Sequence, residues 1–292
     1  MKLSLRQLDV LVAVARSGSV TRAAEALAMS QSAASAALME LERQHAVQLF
    51  DRVGKRLQLN DLGKAVVPRA AELLDRAHEL EDVLAAREVA GDLRVGATLT
   101  IGNYLGAQLV SDFMRRYPQS RASLAVENTA RVLAGVLDFE LDLGLVEGRV
   151  QHPDLEAQHW RDDELAVFAS ASHPLARRQR LTIADLAAAD WILREPGSGT
   201  RDTFDRATAG VLPELRVKLT LSHTEAILHA VGSGLGLGCV SRIALQEAFA
   251  RGGLVPLQTP FLDLRRAFLI VQHRRKYQSL ACRRFIEMCW SG

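Results

Sequence analysis

The chain has 292 residues, 48% of them hydrophobic, enough for more than one core. The formal net charge of +2 says little by itself. No stretch approaches the roughly 20 apolar residues of a membrane span, and the apolar run from Leu8 to Ala15 is broken by Asp9, which excludes a signal-peptide core. Charge distribution says more than the total. Residues 1–60 carry eight Lys and Arg against five Asp and Glu, and residues 61–90 carry four against seven. A basic head followed by an acidic helix suits a protein that brings only its head to phosphate. Cys239, Cys282 and Cys289 show no C-x-x-C spacing, so reduced, buried thiols and a cytoplasmic chain are expected.

Leu5, Leu8, Leu11, Val12 and Ala15 fall at helical spacing, and Gly18 ends that helix. Ser19 caps a second helix through Ala23, Ala24 and Leu27; Ser30 caps a third from Gln31 to about His45. Two short helices joined by a three- or four-residue turn, with Ala where they approach, form the helix-turn-helix pattern. The third helix carries Gln31, Ser32 and Ser35 early, short polar groups able to meet base edges or phosphates. An ordinary helical hairpin with those residues merely solvated is the alternative. The segment after the third helix weighs against that hairpin: Leu57 and Leu59 alternate with Arg56 and Gln58, and Gly54 turns between Arg52 and Lys55. The result is a two-stranded wing with Arg52, Lys55 and Arg56 about its tip, placed for phosphate contacts.

Residues 1–90 resemble the head of the LysR-type transcriptional regulators. The matching residues are Leu5-Arg6-Gln7-Leu8, Thr21-Arg22-Ala23-Ala24-Glu25-Ala26-Leu27, Ser30-Gln31-Ser32-Ala33-Ala34-Ser35, Leu38 with Leu41-Glu42, Leu49-Phe50-Asp51-Arg52, and Leu59-Asn60 with Gly63. The family usually has Pro where Ser32 stands and long polar residues where Ala36 and Ala37 stand, so the operator sequence does not carry over. The DNA-contacting set expected here is Arg22, Ser30, Gln31, Ser32, Ala33, Ser35, Arg52, Lys55 and Arg56. Double-stranded promoter DNA is the expected partner.

Val66, Ala70, Leu73, Ala77, Leu80 and Leu84 step by fours and threes, an a/d seam of nearly three heptads with charged residues between. Pro68 is expected near the first turn, where its missing donor matters least. The seam reads as a dimerising helix, or alternatively as one amphipathic helix packed on its own domain. The resemblance implies the first, with two heads paired over an interrupted palindrome.

From Asp92 on, strand and helix patterns alternate. Leu93–Ala97, Leu124–Glu127 and Leu141–Val146 read as strands, Gly102–Tyr117 and Ala130–Phe139 as helices. A second set runs through Leu165–Ala169, Trp191–Arg194, a helix after Gly199, Leu215–Leu221, Glu225–Val231, Gly236–Val240 and Leu245–Ala250. Arg266–Val271 and a helix near Ala281–Trp290 close the chain. This order predicts two α/β lobes with a cleft between them, where ligands bind beyond strand C-termini and near helix N-termini. It resembles the effector-binding domain of the same family, similar to periplasmic binding proteins. The expected fold is thus an all-α winged helix-turn-helix with a long linker helix, followed by a two-lobed α/β domain. The expected boundaries are 1–60, 61–90 and 91–292, with lobe I at 91–163 and 268–292 and lobe II at 164–267.

Thr98, Thr100, Asn128, Thr129, Ser222 and His223 each stand between a strand and a helix, as do Glu195, Ser198, Gly199, Thr200 and Arg201. Taken singly, each hydroxyl is equally a plain helix cap. Their convergence on one cleft, with a guanidinium and free backbone donors, marks an anion-friendly effector site. Ile101–Leu105 and Arg194–Arg201 look like the branch containing regulators of carbon fixation and sulfur assimilation. That implies a small anion: sulfate, sulfite, or a phosphorylated or carboxylated metabolite. Glu195 and Glu147 weigh against a bare anion unless Arg201 or Arg149 pairs with them.

A cytosolic small-molecule-binding protein or an enzyme on the same fold is the rival reading. His152, His159, His173, His223 and His229 show no metal-ligand spacing. Gly232-Ser233-Gly234 lies between helix and strand, the reverse of a nucleophile elbow, and the glycine-rich segment lacks the Lys of a P-loop. No catalytic residue, metal or cofactor is expected. The expected mechanism is a homotetramer, a dimer of dimers, whose DNA bending and access for RNA polymerase change when ligand closes the cleft.

Overall fold

The computed structural model describes residues 3–53, 56–84, 91–212 and 215–291. The head is α1 (Leu5–Ser17), α2 (Val20–Ala26), α3 (Gln31–His45), the wing strands β1 (Phe50–Val53) and β2 (Arg56–Leu59), and α4 (Asp61–Leu84). Gly18, at φ 63°, turns left-handed as expected, so that its N–H reaches the Val14 carbonyl, and beyond the expected signals Ser4 and Gln7 form a reciprocal capping box on α1. Ser19 and Ser30 cap α2 and α3. Ala23, Ala24 and Ala34 are buried where the helices cross, among Leu11, Val14, Leu38 and Leu41.

α4 differs from expectation in two ways. It begins at Asp61, with the Asn60 side chain accepting from Gly63 N at 2.8 Å, so Pro68 lies in the helix interior rather than near its first turn. The seam also divides. Ala70 is buried in the head with Val67, Ala71 and Leu74, and Val66 packs beside them. Leu73, Leu80 and Leu84 stay exposed, at 48%, 60% and 79%.

The second domain is built from β3 (Gly91–Thr98), α5 (Leu99–Ile101), a π-helical turn at Gly102–Gly106, α6 (Ala107–Arg116), β4 (Ser120–Glu127), α7 (Thr129–Leu137), β5 (Leu143–Glu147) and β6 (Leu155–Ser170). It continues with α8 (Ile183–Ala187), β7 (Asp190–Arg194), α9 (Gly199–Thr208), β8 (Arg216–Leu221), α10 (Thr224–Gly232), β9 (Leu237–Ser241), α11 (Arg242–Ala250), β10 (Leu254–Pro256), β11 (Arg265–His273) and α12 (Leu280–Ser291). Helical backbone starts at Leu99, so Thr98 is the N-cap and Thr100 sits inside the first turn, earlier than the expected start at Gly102.

The strands run in the order β4-β3-β5-β11-β6-β9-β7-β8, with β10 on β6. β4, β3 and β5 are mutually parallel, as are β8, β7 and β9; β11 and β6 are antiparallel to their neighbours. The two parallel sets are the lobes. β6 belongs to both: residues 155–164 pair with β11, and residues 165–168 pair with β9. Its first half escapes the sequence pattern because most of its side chains face water; Leu155, Trp160 and Asp163 are its buried residues there. Separate apolar clusters fill the lobes, one around Val95, Leu145, Phe268 and Phe285, the other around Val167, Trp191, Leu193 and Phe204.

Candidate functional site

On the head, Gln31 and Ser32 stand exposed at the start of α3. Ser30 is committed to capping, accepting from Ala33 N at 3.2 Å, and its hydroxyl lies 3.1 Å from that of Ser32. Ala33 and Ser35 are half-buried, on the two flanks of α3. Arg22 is exposed on α2 with its guanidinium on the Ser17 carbonyl, and Arg52 is exposed on β1. Lys55 lies outside the described residues, as does the side chain of Arg56.

Between the lobes the polar residues form a buried network. Thr98 donates to the Glu147 carboxylate, whose other oxygen lies 3.5 Å from the Thr200 hydroxyl. Arg266 Nη1 donates to Thr200 at 3.0 Å and lies 3.6 Å from Glu147. Arg266 Nε donates to Asp163 at 2.6 Å, and Ser241 donates to the other Asp163 oxygen at 2.7 Å. Burial pushes the Glu147 carboxyl above the ordinary carboxylate range, against the pull of Arg266 and Arg194.

Lobe II approaches lobe I through the start of α9. Gly199 N donates to the Thr129 hydroxyl at 3.0 Å, and Ala130 N donates to the Gly197 carbonyl at 3.2 Å. A Cβ on Gly199 would stand 2.4 Å from the Glu147 carbonyl oxygen, so only glycine permits this contact. Across the same seam, the Tyr104 hydroxyl donates to Glu225 at 3.2 Å.

Thr98, Thr129, Gly199 and Thr200 are therefore brought together, and Thr100 and Ser198 are buried beside them in the chain. Asn128 is half-buried and caps α7, accepting from Arg131 N at 3.0 Å. Ser222 and His223 are exposed at the start of α10, outside the buried network. The expected ion pairs differ. Glu195 is held by Arg194, at 2.8 and 3.0 Å, while Arg201 binds Asp205 and the Arg194 carbonyl. Glu147 faces Arg266, not Arg149 or Arg201.

Sequence reasoning missed Arg194 and Arg266 as buried cations of this seam, and Asp163 and Ser241 as the support of Arg266. A charge beside an apolar strand was the available signal for both arginines; nothing in Arg161-Asp162-Asp163-Glu164 marks which carboxylate turns inward. Among the described residues, three buried polar atoms of this seam have no hydrogen-bond partner: Arg194 Nη1, Arg266 Nη2 and Ser198 Oγ. Each can donate a hydrogen bond.

Two family models cover nearly the whole chain. Residues 5–64 match the bacterial regulatory helix-turn-helix protein, lysR family, and residues 86–292 match the LysR substrate binding domain. The chain belongs to the LysR family of transcriptional regulators. This LysR-type regulator is 44% identical over 289 residues to the uncharacterized HTH-type transcriptional regulator YeiE of Escherichia coli K12, covering 99% of this chain and 98% of that one. It is 33% identical to the RuBisCO operon transcriptional regulator of Allochromatium vinosum, covering 100% and 97%. Among solved structures it is similar to the regulatory domain of Synechocystis CcmR in complex with 2-PG, with a TM-score of 0.64, 28% identity, and coverage of 70% of this chain and 97% of that one. The branch expected from residues 101–105 and 194–201 is the one these relatives occupy. The regulator thus joins a DNA-binding head to an effector-binding domain.

Proposed function

We propose that this regulator binds promoter DNA through α3 and the wing, and is switched by a small anion held between its lobes. The observation that carries the effector class is the set of unspent donors in the seam, two guanidinium N–H groups and a hydroxyl. An acceptor-rich ligand such as sulfate, sulfite, or a small phosphate or carboxylate satisfies them with charge-assisted bonds. The 2-PG bound by the CcmR regulatory domain supports the same class. Glu195 and Asp163 do not oppose such a ligand, because each is neutralised by its own arginine, and Glu147 is biased toward its uncharged form.

On the head, Gln31, Ser32 and Ser35 face base edges, with Arg22, Arg52, Lys55 and Arg56 on phosphates. Two copies pair along the exposed leucines of α4, and two pairs make a tetramer on an extended site. Among the described residues no helix is long and apolar enough to cross a membrane, and the proposed setting is the cytoplasm, where RNA polymerase is the downstream partner. Ligand acts by preferring one arrangement of the lobes, which changes the spacing of the heads and the bend of the DNA. A thermal-shift screen of the full-length protein with sulfate, sulfite, phosphate and small carboxylates tests this. At least one is expected to raise the melting temperature in the parent and not in Thr200→Val, with DNA affinity of the variant preserved. A response intact in both Thr200→Val and Thr100→Val places the effector elsewhere.

A further inference from the structure

The outward face of α3 is only partly polar. Gln31 and Ser32 occupy its first turn, but the same face continues with Ala36, one helical turn beyond Ser32, and Met39, one turn beyond Ser35. Met39 is 65% exposed, on the side opposite the buried Ala34, Leu38 and Leu41. Its thioether lies along the helix, with the Ser35 hydroxyl 3.9 Å from Sδ. The carboxylates of this helix are occupied. Glu40 accepts Arg43 Nε at 2.8 Å, Arg43 Nη2 at 2.7 Å and Gln44 at 2.7 Å, while Glu42 accepts Leu49 N at 2.7 Å. Both carboxylates of α3 are thus engaged, and neither is left beside Met39 to repel a phosphate.

A helix lying in the major groove meets one apolar group on the base edges, the C5-methyl of thymine. Ser32 to Met39 is seven residues, about 10 Å of helix axis, or about three base pairs at 3.4 Å each. The polar start of α3 and its apolar continuation therefore face neighbouring base pairs. We propose that Met39, with Ala36, selects T·A pairs in the operator by covering thymine methyl groups, so that these positions are read by apolar burial and not by hydrogen bonds. This rests on the reading that α3 lies in the major groove, and it follows from continuity with the Gln31–Ser32 surface.

The test uses the full-length protein. Its tightest duplex is selected from a random 40-base-pair pool and resynthesised with uracil for thymine, which removes the methyl groups and leaves the hydrogen-bonding edges unchanged. Fluorescence anisotropy at fixed salt compares the two duplexes. The parent is expected to bind the thymine duplex about fourfold more tightly per methyl covered, equivalent to about 0.8 kcal/mol at 1.4 kcal/mol per tenfold. Met39→Ala should bring the ratio toward one, mainly by losing affinity for the thymine duplex, and Met39→Leu should keep it. Equal affinity of the parent for both duplexes, or an unchanged ratio in Met39→Ala, overturns the proposal. A changed assembly mass of Met39→Ala in sedimentation also overturns it, by assigning the side chain to a protein contact. Failure of the underlying reading looks different: no duplex is enriched, or Gln31→Ala with Ser32→Ala leaves binding as it was.

Discussion

Replacing Asp163 by Asn tests whether the two lobes are joined by a buried charge. The Asp163 and Arg266 side chains are 2% and 0% exposed, and they stand on β6 and β11, the strands on which the chain crosses between lobes. Asn keeps one acceptor oxygen but removes the charge. Among the described residues the carboxyl left beside Arg266 is then Glu147, at 3.6 Å, which burial biases toward its neutral form. An unpaired buried charge of this kind costs about 3–5 kcal/mol, while replacing both partners by apolar groups is often close to neutral. Asp163→Asn is therefore expected to lower the unfolding free energy of the sensor by about 3–5 kcal/mol. Asp163→Leu with Arg266→Met should recover most of that loss. Urea unfolding is followed by tryptophan fluorescence, since Trp160 lies in the lobe I core and Trp191 in that of lobe II. A loss below about 1 kcal/mol for Asp163→Asn, or a double variant as unstable as the single one, refutes the reasoning.

Arg52→Ala should weaken DNA binding across sequences and reduce the slope of log affinity against log salt by about 0.9, read by anisotropy at several salt concentrations; an unchanged slope removes β1 from the contact surface. Burial and the neighbouring Asp142 raise the Asp75 carboxyl above its ordinary 3.8, against Lys276, Arg94 and Arg16. Its stabilising contribution is thus complete below that ordinary value and lost as pH rises through the raised one, so Asp75→Asn should raise the melting temperature at about pH 7 and leave it unchanged near pH 4. Burial pushes the Cys282 and Cys289 thiols up to about 12 and Cys239 also upward, so none should react with a thiol reagent at neutral pH until urea unfolds the chain. Leu80→Glu places a charge on the open seam of α4 and should weaken self-association more than tenfold in sedimentation; an unchanged mass would leave that seam without a partner.

The head was the most legible part of the sequence because its signals are local. Ser19, Ser30 and Gly18 act within three or four residues of themselves, so these caps and boundaries follow from spacing alone. The parallel strands β3, β5 and β9 were legible as short apolar runs, being buried along most of their length. The hidden features depend on distant partners. Residues 155–164 read as polar because one strand face is solvated, and Asp163 looks like its charged neighbours until Arg266 arrives from 103 residues away. The hydroxyls of the cleft were found by their place between strand and helix. The arginines beside them were not, because Arg194 ends a strand and Arg266 lies within one. The linker showed a further limit: a heptad pattern records which positions are apolar, and only the packing shows that Ala70 faces the head while Leu73 and Leu80 do not.

The arrangement of charges constrains how an anion could act. Arg266 is held by Asp163 on β6 and by Thr200 on α9, and it faces Glu147 on β5, so it contacts both lobes and one of the strands that connect them. Shifting a two-state equilibrium from 1:99 to 99:1 needs about 5.5 kcal/mol of differential affinity. Hydrogen bonds to charged groups contribute about 1.5–3 kcal/mol each, so the free N–H groups of Arg194 and Arg266 together could supply about 3–6 kcal/mol. That is sufficient only where one arrangement of the lobes presents both donors to the same ligand. The Gly199 contact with Glu147 and Thr129 sets that spacing, and a side chain at position 199 would hold the lobes apart. Gly199→Ala is therefore expected to weaken any ligand response of the sensor while leaving DNA affinity as it was, read by thermal shift and anisotropy.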